Sequence, residues 1–113
     1  MTLYGDGLQG RDFVSVRDVA QANVRAALHV GEGISGRVFN VGRGEMLTLL
    51  EILTVLEGVL GRPVARVHAD ARQGDVRWSC AAIGALVDAV GWRPIDALEP
   101  ALAATVRSFV ARP

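Results

Sequence analysis

The most constraining feature of this sequence is an alternation of short extended patterns with longer helical patterns, separated by glycine-rich turns. Extended runs are predicted at residues 2–4, 12–16, 37–41 and 64–67. Apolar residues recur at helical spacing in four other segments, residues 15–28, 48–60, 83–90 and 96–110. Strands and helices that alternate in this way are typical of the α/β class. A length of 113 residues favours a single domain over residues 1–113.

The clearest helix boundaries enclose residues 48–60. Thr48 and Glu51 have the spacing of a capping box, and Gly61 followed by Pro63 is a typical helix stop. The helix between them is nearly all Leu, Ile and Val, which predicts that it is largely buried.

The other helices have weaker boundary signals. Ser15 is predicted to cap the first helix, with Asp18 three residues later in a near capping box. Gly91 is predicted to end the third helix, and Asp96 with Glu99 to cap the last one.

Composition excludes several classes of function. All twelve basic residues are arginine, so Schiff-base, P-loop and Tyr/Lys chemistry in this chain are excluded. Cys80 is the sole cysteine, which excludes an intrachain disulfide and a multi-cysteine zinc site. Twelve acidic residues balance the arginines, so nothing indicates nucleic acid or a membrane as partner. No apolar run approaches the ~20 residues of a membrane span, and no signal-peptide pattern opens the chain. We therefore expect a cytoplasmic protein.

Two segments match the pattern GxGxxG, Gly5–Gly10 and Gly31–Gly36. A dinucleotide site needs that pattern after a strand and at the start of a helix, because the pyrophosphate sits at the helix N-terminus. An extended run follows the first segment, and the second follows a helix. Both are therefore predicted to be turns.

Charged residues on predicted loops and strand ends are the candidates for ligand binding. Arg11, Arg72 and Arg77 are in positions where a planar guanidinium suits bidentate capture of phosphate. Asp12 and Asp75 are possible site acceptors. Solvated arginines and turn-capping aspartates are the alternative interpretation. No set of residues forms a catalytic constellation or a metal site.

Five motifs in order resemble those of one enzyme family. They are GDGLQGRDFVSVRDVA at 5–20, VFNVGRGE at 38–45, GRPV at 61–64, RQGDVR at 72–77 and GWRP at 91–94. The chain resembles the C-terminal, substrate-binding portion of NAD-dependent epimerase/dehydratases, which are extended short-chain dehydrogenases acting on nucleotide sugars. The resemblance implies an α/β fold of short strands plus about four helices.

The resemblance implies a site for a nucleotide diphosphate sugar, a UDP- or dTDP-hexose. Arg11 and Arg72 match two arginines that grip the diphosphate. Asp75 matches an acidic position near the ribose hydroxyls. Phe13 and Leu49 match positions lining the nucleotide pocket.

Some residues depart from the family pattern. Ser79 stands where several members carry a tyrosine that reaches the sugar, so its contact is the weakest assignment. Gln73 replaces a usual proline. Ala82 and Ala85 replace an Asp and a Lys, which predicts that the following helix has no side-chain cap.

Family members also carry a Rossmann half with a GxxGxxG loop, a catalytic Ser/Thr and a Tyr-x-x-x-Lys pair. The resemblance implies that this half and its NAD lie outside these 113 residues. The chain alone is then expected to have no catalytic residue and to bind no cofactor.

Three functions remain open at this point. The chain is the nucleotide-sugar-binding portion of an epimerase or dehydratase, a non-catalytic folding or interaction module derived from one, or a subunit that completes an active site with a Rossmann chain. In the family, helix 16–28 and strand 38–41 pack on the Rossmann sheet. We therefore expect a homo-oligomer or a Rossmann-domain partner to cover them.

Overall fold

The computed structural model of this protein describes residues 1–31 and 33–110. Its helices are α1 (Val16–Leu28), α2 (Leu49–Leu60), α3 (Gly84–Val90) and α4 (Leu98–Val110). Its strands are β1 (Thr2–Tyr4), β2 (Gly10–Arg11), β3 (Leu47–Thr48), β4 (Val67–Ala69) and β5 (Trp78–Ser79). The predicted α/β class and the number of helices are confirmed.

Two small sheets position the loops. β1 and β4 pair in parallel, with Tyr4 opposite Ala69. In the second sheet β2 lies between β3 and β5; it runs antiparallel to β3 and parallel to β5, with Arg11 opposite Ser79. Because the carboxyl ends of parallel strands meet at one edge, each parallel pair brings two sequence-distant loops together.

Most helix ends form as predicted. Thr48 and Glu51 make a reciprocal capping box, and Gly61 takes the left-handed conformation at φ +64° that favours glycine. Ser15 caps α1 by accepting a hydrogen bond from the amide of Arg17. α3 has no side-chain cap, as predicted from Ala82 and Ala85.

Asp18 does not complete a capping box with Ser15. Its side chain is fully buried and accepts hydrogen bonds from the amides of Ile95 (2.9 Å) and Asp96 (3.2 Å). The carboxylate therefore joins the first turn of α1 to the segment before α4. Burial of a charged group is tolerated here because backbone amides solvate it.

Asp96 does not cap α4. The first hydrogen bond of that helix runs from the amide of Ala101 to the carbonyl of Ala97. The Asp96 carboxylate instead accepts a hydrogen bond from the Ser15 hydroxyl at 2.6 Å. A tertiary contact thus takes the side chain that the local pattern assigned to a cap.

Three strand predictions are wrong: two strands form at other positions and one does not form. The chain is paired at Gly10–Arg11 and not at 12–16, and the predicted strand 64–67 lies instead at Val67–Ala69. Residues 37–41 form no strand, and Val38 is 94% exposed. A β pattern becomes a strand only where a neighbour offers hydrogen bonds, and no described strand lies beside 37–41.

The core is small. The buried apolar residues are Leu3, Ala22, Leu53, Leu86 and Trp92. The prediction that α2 is largely buried is wrong, because only Leu53 of that helix is buried and the other apolar side chains are half-buried.

The protein exposes more surface than its mass predicts. A compact 12.0 kDa monomer has roughly 6,000 Å² of accessible surface, whereas this chain has 7760 Å². Its radius of gyration is 16.8 Å, against roughly 13 Å for a compact domain of this length. Val16 and Leu28 of α1 are 78% and 73% exposed. The apolar side chains of Val16, Leu28 and Val38 are therefore uncovered, whereas Phe39 and Val41 pack against the core.

Candidate functional site

The largest cavity lies between β1, α2 and the loop that follows β4. We call it the β1–α2 cavity; its volume is about 580 Å³. Its walls are largely aliphatic, and its polar side chains come from Thr2, Tyr4 and Gln9 and from the loop Arg72–Asp75. Three of the six predicted site residues line it, namely Leu49, Arg72 and Asp75.

Arg72 lies on an aromatic ring at this cavity. Its guanidinium carbon is 3.8 Å from the centroid of the Tyr4 ring. This distance is within the range of a cation–π interaction. The parallel pairing of Tyr4 with Ala69 brings the two residues together, because the loop after β4 then passes the end of β1.

Arg11 and Asp75 form an ion pair. Nη2 of Arg11 is 2.5 Å from Oδ1 of Asp75, and Nη1 donates to the carbonyl of Gly10 at 2.8 Å. The amide of Asp75 donates to the carbonyl of Arg72, which closes a turn at Gly74 with φ +81°. The structure therefore links Arg11, Arg72 and Asp75 through direct contacts.

Arg77, the third candidate arginine, is paired with Asp6. The Asp6 carboxylate accepts from the Leu8 amide at 2.9 Å and from Arg77 at 2.9 and 3.0 Å. These contacts, the Leu8 amide first, lower the pKa of Asp6. Arg77 shares a smaller cavity of about 190 Å³ with Arg72 and Asp75.

Ser79 lies beside Arg11 because β2 and β5 are parallel. Both residues line a second cavity of about 400 Å³, which we call the β2–β5 cavity. Ser79 is not among the residues that line the β1–α2 cavity. Arg11, through its ion pair with Asp75, connects the two cavities.

Asp12 joins three segments of chain near the site. Its carboxylate accepts hydrogen bonds from the amides of Arg43 (2.7 Å), Gly44 (2.9 Å) and Ala81 (3.2 Å). Asp12 thus caps backbone amides of loops, as the turn-capping interpretation predicts. The loops that it caps are distant in sequence, and no local signal could have identified them.

Phe13 is separated from the other predicted site residues. It lines a cavity of about 320 Å³ together with Ile52, Leu98 and Leu102. Ile52 and Leu102 also line the β1–α2 cavity, so the two cavities are neighbours that share these side chains. The role that the resemblance gives to Phe13 stays a prediction.

Tyr4 and Gln9 are among the residues at the β1–α2 cavity that carried no site prediction. Tyr4 was assigned only to a strand, and Gln9 only to a turn. Gln9 is 92% buried, and its Nε2 donates to the carbonyl of Tyr4 at 2.9 Å. A buried glutamine in a turn is detectable only when the surrounding packing is known.

Neither glycine-rich segment opens a helix, as a dinucleotide fingerprint would. Residues 5–9 connect β1 to Gly10, the first residue of β2, which confirms the predicted turn. A Cβ on Gly7 would lie 2.8 Å from Leu3 and 2.9 Å from Leu50, so this backbone packs on apolar side chains. Gly31–Gly36 follows α1 and opens no helix, and its Glu32 lies outside the described residues.

In residues 1–31 and 33–110, no three His, Cys, Asp or Glu side chains are placed to share a metal ion. None of the helices in this part of the chain combines the length and the hydropathy that a bilayer crossing needs.

Comparison with known proteins identifies the family. The model of the NAD dependent epimerase/dehydratase family matches residues 1–42. UDP-glucose 4-epimerase of Mycolicibacterium smegmatis is 36% identical over 107 residues, which are 95% of this chain. dTDP-L-rhamnose 4-epimerase of Burkholderia thailandensis is 34% identical over 97 residues, which are 86% of it. The chain belongs to the NAD-dependent epimerase/dehydratase family. The family resemblance drawn from the motifs is thereby confirmed.

Comparison with solved structures confirms the fold of this chain. The structure of UDP-glucose 4-epimerase from Thermotoga maritima with UDP-glucose superposes with a TM-score of 0.85 and 34% identity over 97% of this chain. The chain covers 34% of that structure, 33% of the Mycolicibacterium protein and 26% of the Burkholderia protein. It corresponds to the C-terminal portion of these enzymes.

Proposed function

We propose that this chain is the nucleotide-sugar-binding portion of an NAD-dependent sugar epimerase or dehydratase. Arg72, Asp75 and Leu49 line one cavity, and Arg11 contacts Asp75; this convergence is the observation that supports the proposal. Their side chains come from three separate parts of the sequence, namely β2, the start of α2 and the loop Arg72–Asp75. A volume of about 580 Å³ is within the range of small-molecule sites.

The two arginines would bind the diphosphate. A guanidinium offers N–H groups in a planar fork that matches two phosphate oxygens. Arg11 now donates to Asp75, so a bound diphosphate would compete with that carboxylate. Asp75 would then be free to accept hydrogen bonds from ribose hydroxyls, the role that the family resemblance gives it.

The aliphatic wall would hold the apolar part of the nucleotide. Leu49, at the start of α2, stands beside Ile52 and Leu53 on that wall. A planar base buries apolar surface there while its phosphates remain at the charged rim. Phe13 and Ser79 line neighbouring cavities, and they are the less supported members of the proposed site.

The chain's contribution to the reaction would be positional. By holding the diphosphate it would bring the sugar to a nicotinamide held by a Rossmann domain, and correct orientation of two reactants lowers the barrier. Neither glycine segment follows a strand and opens a helix, and this supports binding of NAD elsewhere. This chain alone is proposed to be non-catalytic.

The uncovered apolar surface supports an interaction with another folded unit. An excess of surface of this size, with Val16, Leu28 and Val38 exposed, is typical of an interface. We propose either a second copy of this chain or a Rossmann-domain chain as the partner. Light scattering of the purified chain at micromolar concentration tests the first alternative, and a monomer would exclude it.

Calorimetric titration with UDP-glucose and dTDP-glucose tests the binding proposal. Loss of one charge-assisted phosphate contact costs about 1.5–3 kcal/mol, so Arg72→Ala is expected to weaken binding roughly tenfold to a hundredfold. Arg11→Ala should have a similar effect. Arg62→Ala is the matched control, because Arg62 is exposed and lines none of the cavities described above. No heat from a folded wild type, or equal losses in all three variants, would refute the proposal.

A further inference from the structure

We propose that Tyr4 is a positioning residue that holds Arg72 in the orientation needed to bind an anion. This inference rests on the proposed function, since it concerns how the diphosphate arginine is presented. It assigns a role to a side chain that neither the motifs nor the family resemblance singled out.

The geometry of the stack is the first observation. The Arg72 guanidinium carbon lies 3.8 Å from the centre of the Tyr4 ring, close enough for the two planar groups to be in van der Waals contact. Such a contact engages the face of the guanidinium. The N–H groups lie in the guanidinium plane and so remain available at its edge.

The neighbouring arginines provide the contrast. Arg11 donates its N–H groups to Asp75 and to the carbonyl of Gly10. Arg77 donates to both carboxylate oxygens of Asp6. Among the described residues Arg72 has no such carboxylate partner, and its observed contact is with the ring. It is therefore the arginine of this group whose donors are available to a ligand.

Tyr4 is itself held firmly in place. It is the last residue of β1 and pairs with Ala69 of β4. Its carbonyl accepts from the buried Gln9 side chain at 2.9 Å, and the amide of the next residue, Gly5, donates to Ala69 at 2.9 Å. These contacts fix the backbone of Tyr4, and its ring lies against a long side chain on an exposed turn.

The expected benefit is a reduced entropy cost of binding. A free arginine side chain loses rotamer entropy when it is fixed, and part of that loss is already incurred when the side chain stacks on the ring. A cation–π contact at an exposed site has a strength that corresponds to about a two- to fivefold change in affinity. Loss of the ring should weaken anion binding by that factor.

A double-mutant cycle with UDP as the calorimetric probe tests this role. Tyr4→Leu should weaken UDP binding about two- to fivefold, and Tyr4→Phe, which keeps the ring, should bind as the wild type does. In an Arg72→Ala background Tyr4→Leu should have no further effect. An equal loss in both backgrounds would mean that Tyr4 acts through the cavity wall, and it would overturn the proposal.

A second readout does not depend on binding. The ring should shift the Arg72 Nε–H proton resonance upfield in the free protein, in the wild type and in Tyr4→Phe but not in Tyr4→Leu. A resonance that is the same in all three variants would refute the stack. If UDP fails to bind the folded wild type while the shift is present, the proposed function fails and the Tyr4–Arg72 contact stands by itself.

Discussion

Removal of the Asp18 carboxylate is expected to destabilise this fold strongly. The side chain is fully buried, and its oxygens accept the amides of Ile95 at 2.9 Å and Asp96 at 3.2 Å. These hydrogen bonds connect α1 to a segment 77 and 78 residues further along the chain. Ser15 and Arg17 also contact Asp96, and Arg25 donates to the carbonyl of Gly91, but these side chains are more exposed than Asp18.

The magnitude follows from the two hydrogen bonds. A hydrogen bond to a charged acceptor contributes about 1.5–3 kcal/mol. Ile95 is 70% exposed, so water can partly replace its bond after Asp18→Ala. We therefore expect the free energy of unfolding to fall by about 3 kcal/mol for Asp18→Ala. For Asp18→Asn, which keeps the shape and one acceptor oxygen, it should fall by about 1–2 kcal/mol. The total free energy of unfolding of a domain of this size is roughly 5–15 kcal/mol.

Urea unfolding followed by tryptophan fluorescence measures the effect, because the buried Trp92 reports on loss of the core. Asp70→Ala is the matched control. Asp70 is exposed, and it makes no side-chain hydrogen bond or ion pair with the described residues, so its removal should change the free energy of unfolding by less than about 0.5 kcal/mol. Equal unfolding midpoints for Asp18→Ala and Asp70→Ala would refute the assignment.

Two further stability predictions use the same assay. Gly42→Ala should lower the free energy of unfolding by about 1–3 kcal/mol, because its Cβ would lie 2.5 Å from that of Ala81. Gly58→Ala, in α2 with nothing within 4 Å, should raise it by about 0.5–1 kcal/mol; shifts in the same direction would contradict this. The Thr48 amide and hydroxyl lower the pKa of Glu51, so the stabilisation by this carboxylate is present above the ordinary value of 4.5 and is lost as the pH falls through the lowered one. Glu51→Gln should therefore reduce the loss of stability between about pH 7 and about pH 3, and an unchanged loss would argue against the capping box.

The local parts of the fold were predictable from sequence. The capping box of Thr48 and Glu51 and the left-handed Gly61 both involve groups within one helical turn of each other. Their energetics are complete within a few residues, so the pattern alone indicates the structure. The same holds for the turn at Gly5–Gly10.

The strands were less predictable because their hydrogen bonds are made with distant residues. Residues 37–41 have a good β pattern, yet no described strand lies beside them. Val67–Ala69 became a strand because β1 pairs with it, and the start of the apolar run at Val64 did not decide the boundary. Asp18 and Asp96 similarly left their predicted local roles for partners elsewhere in the chain.

The residue types of the candidate site were predictable from sequence, whereas their contacts were not. The types of residue, arginine and aspartate on loops, are visible in the sequence and are those that phosphate and hydroxyl groups require. That Arg11 contacts Asp75, and that Arg72 stacks on Tyr4, depends on the parallel pairing of β2 with β5 and of β1 with β4. Gln9 was missed because only its packing shows that its side chain is buried.

The sequence by itself therefore determined the helices, most of their ends, the turns and the chemical character of the site, since each depends on neighbours along the chain. Tertiary structure alone decided which strands form, which aspartates are buried and which arginine keeps its donors free. These outcomes depend on contacts between residues more than sixty positions apart, such as Arg11 with Asp75. Contacts of this kind arise only when the whole chain has packed, because their free energy depends on geometry that no local pattern encodes.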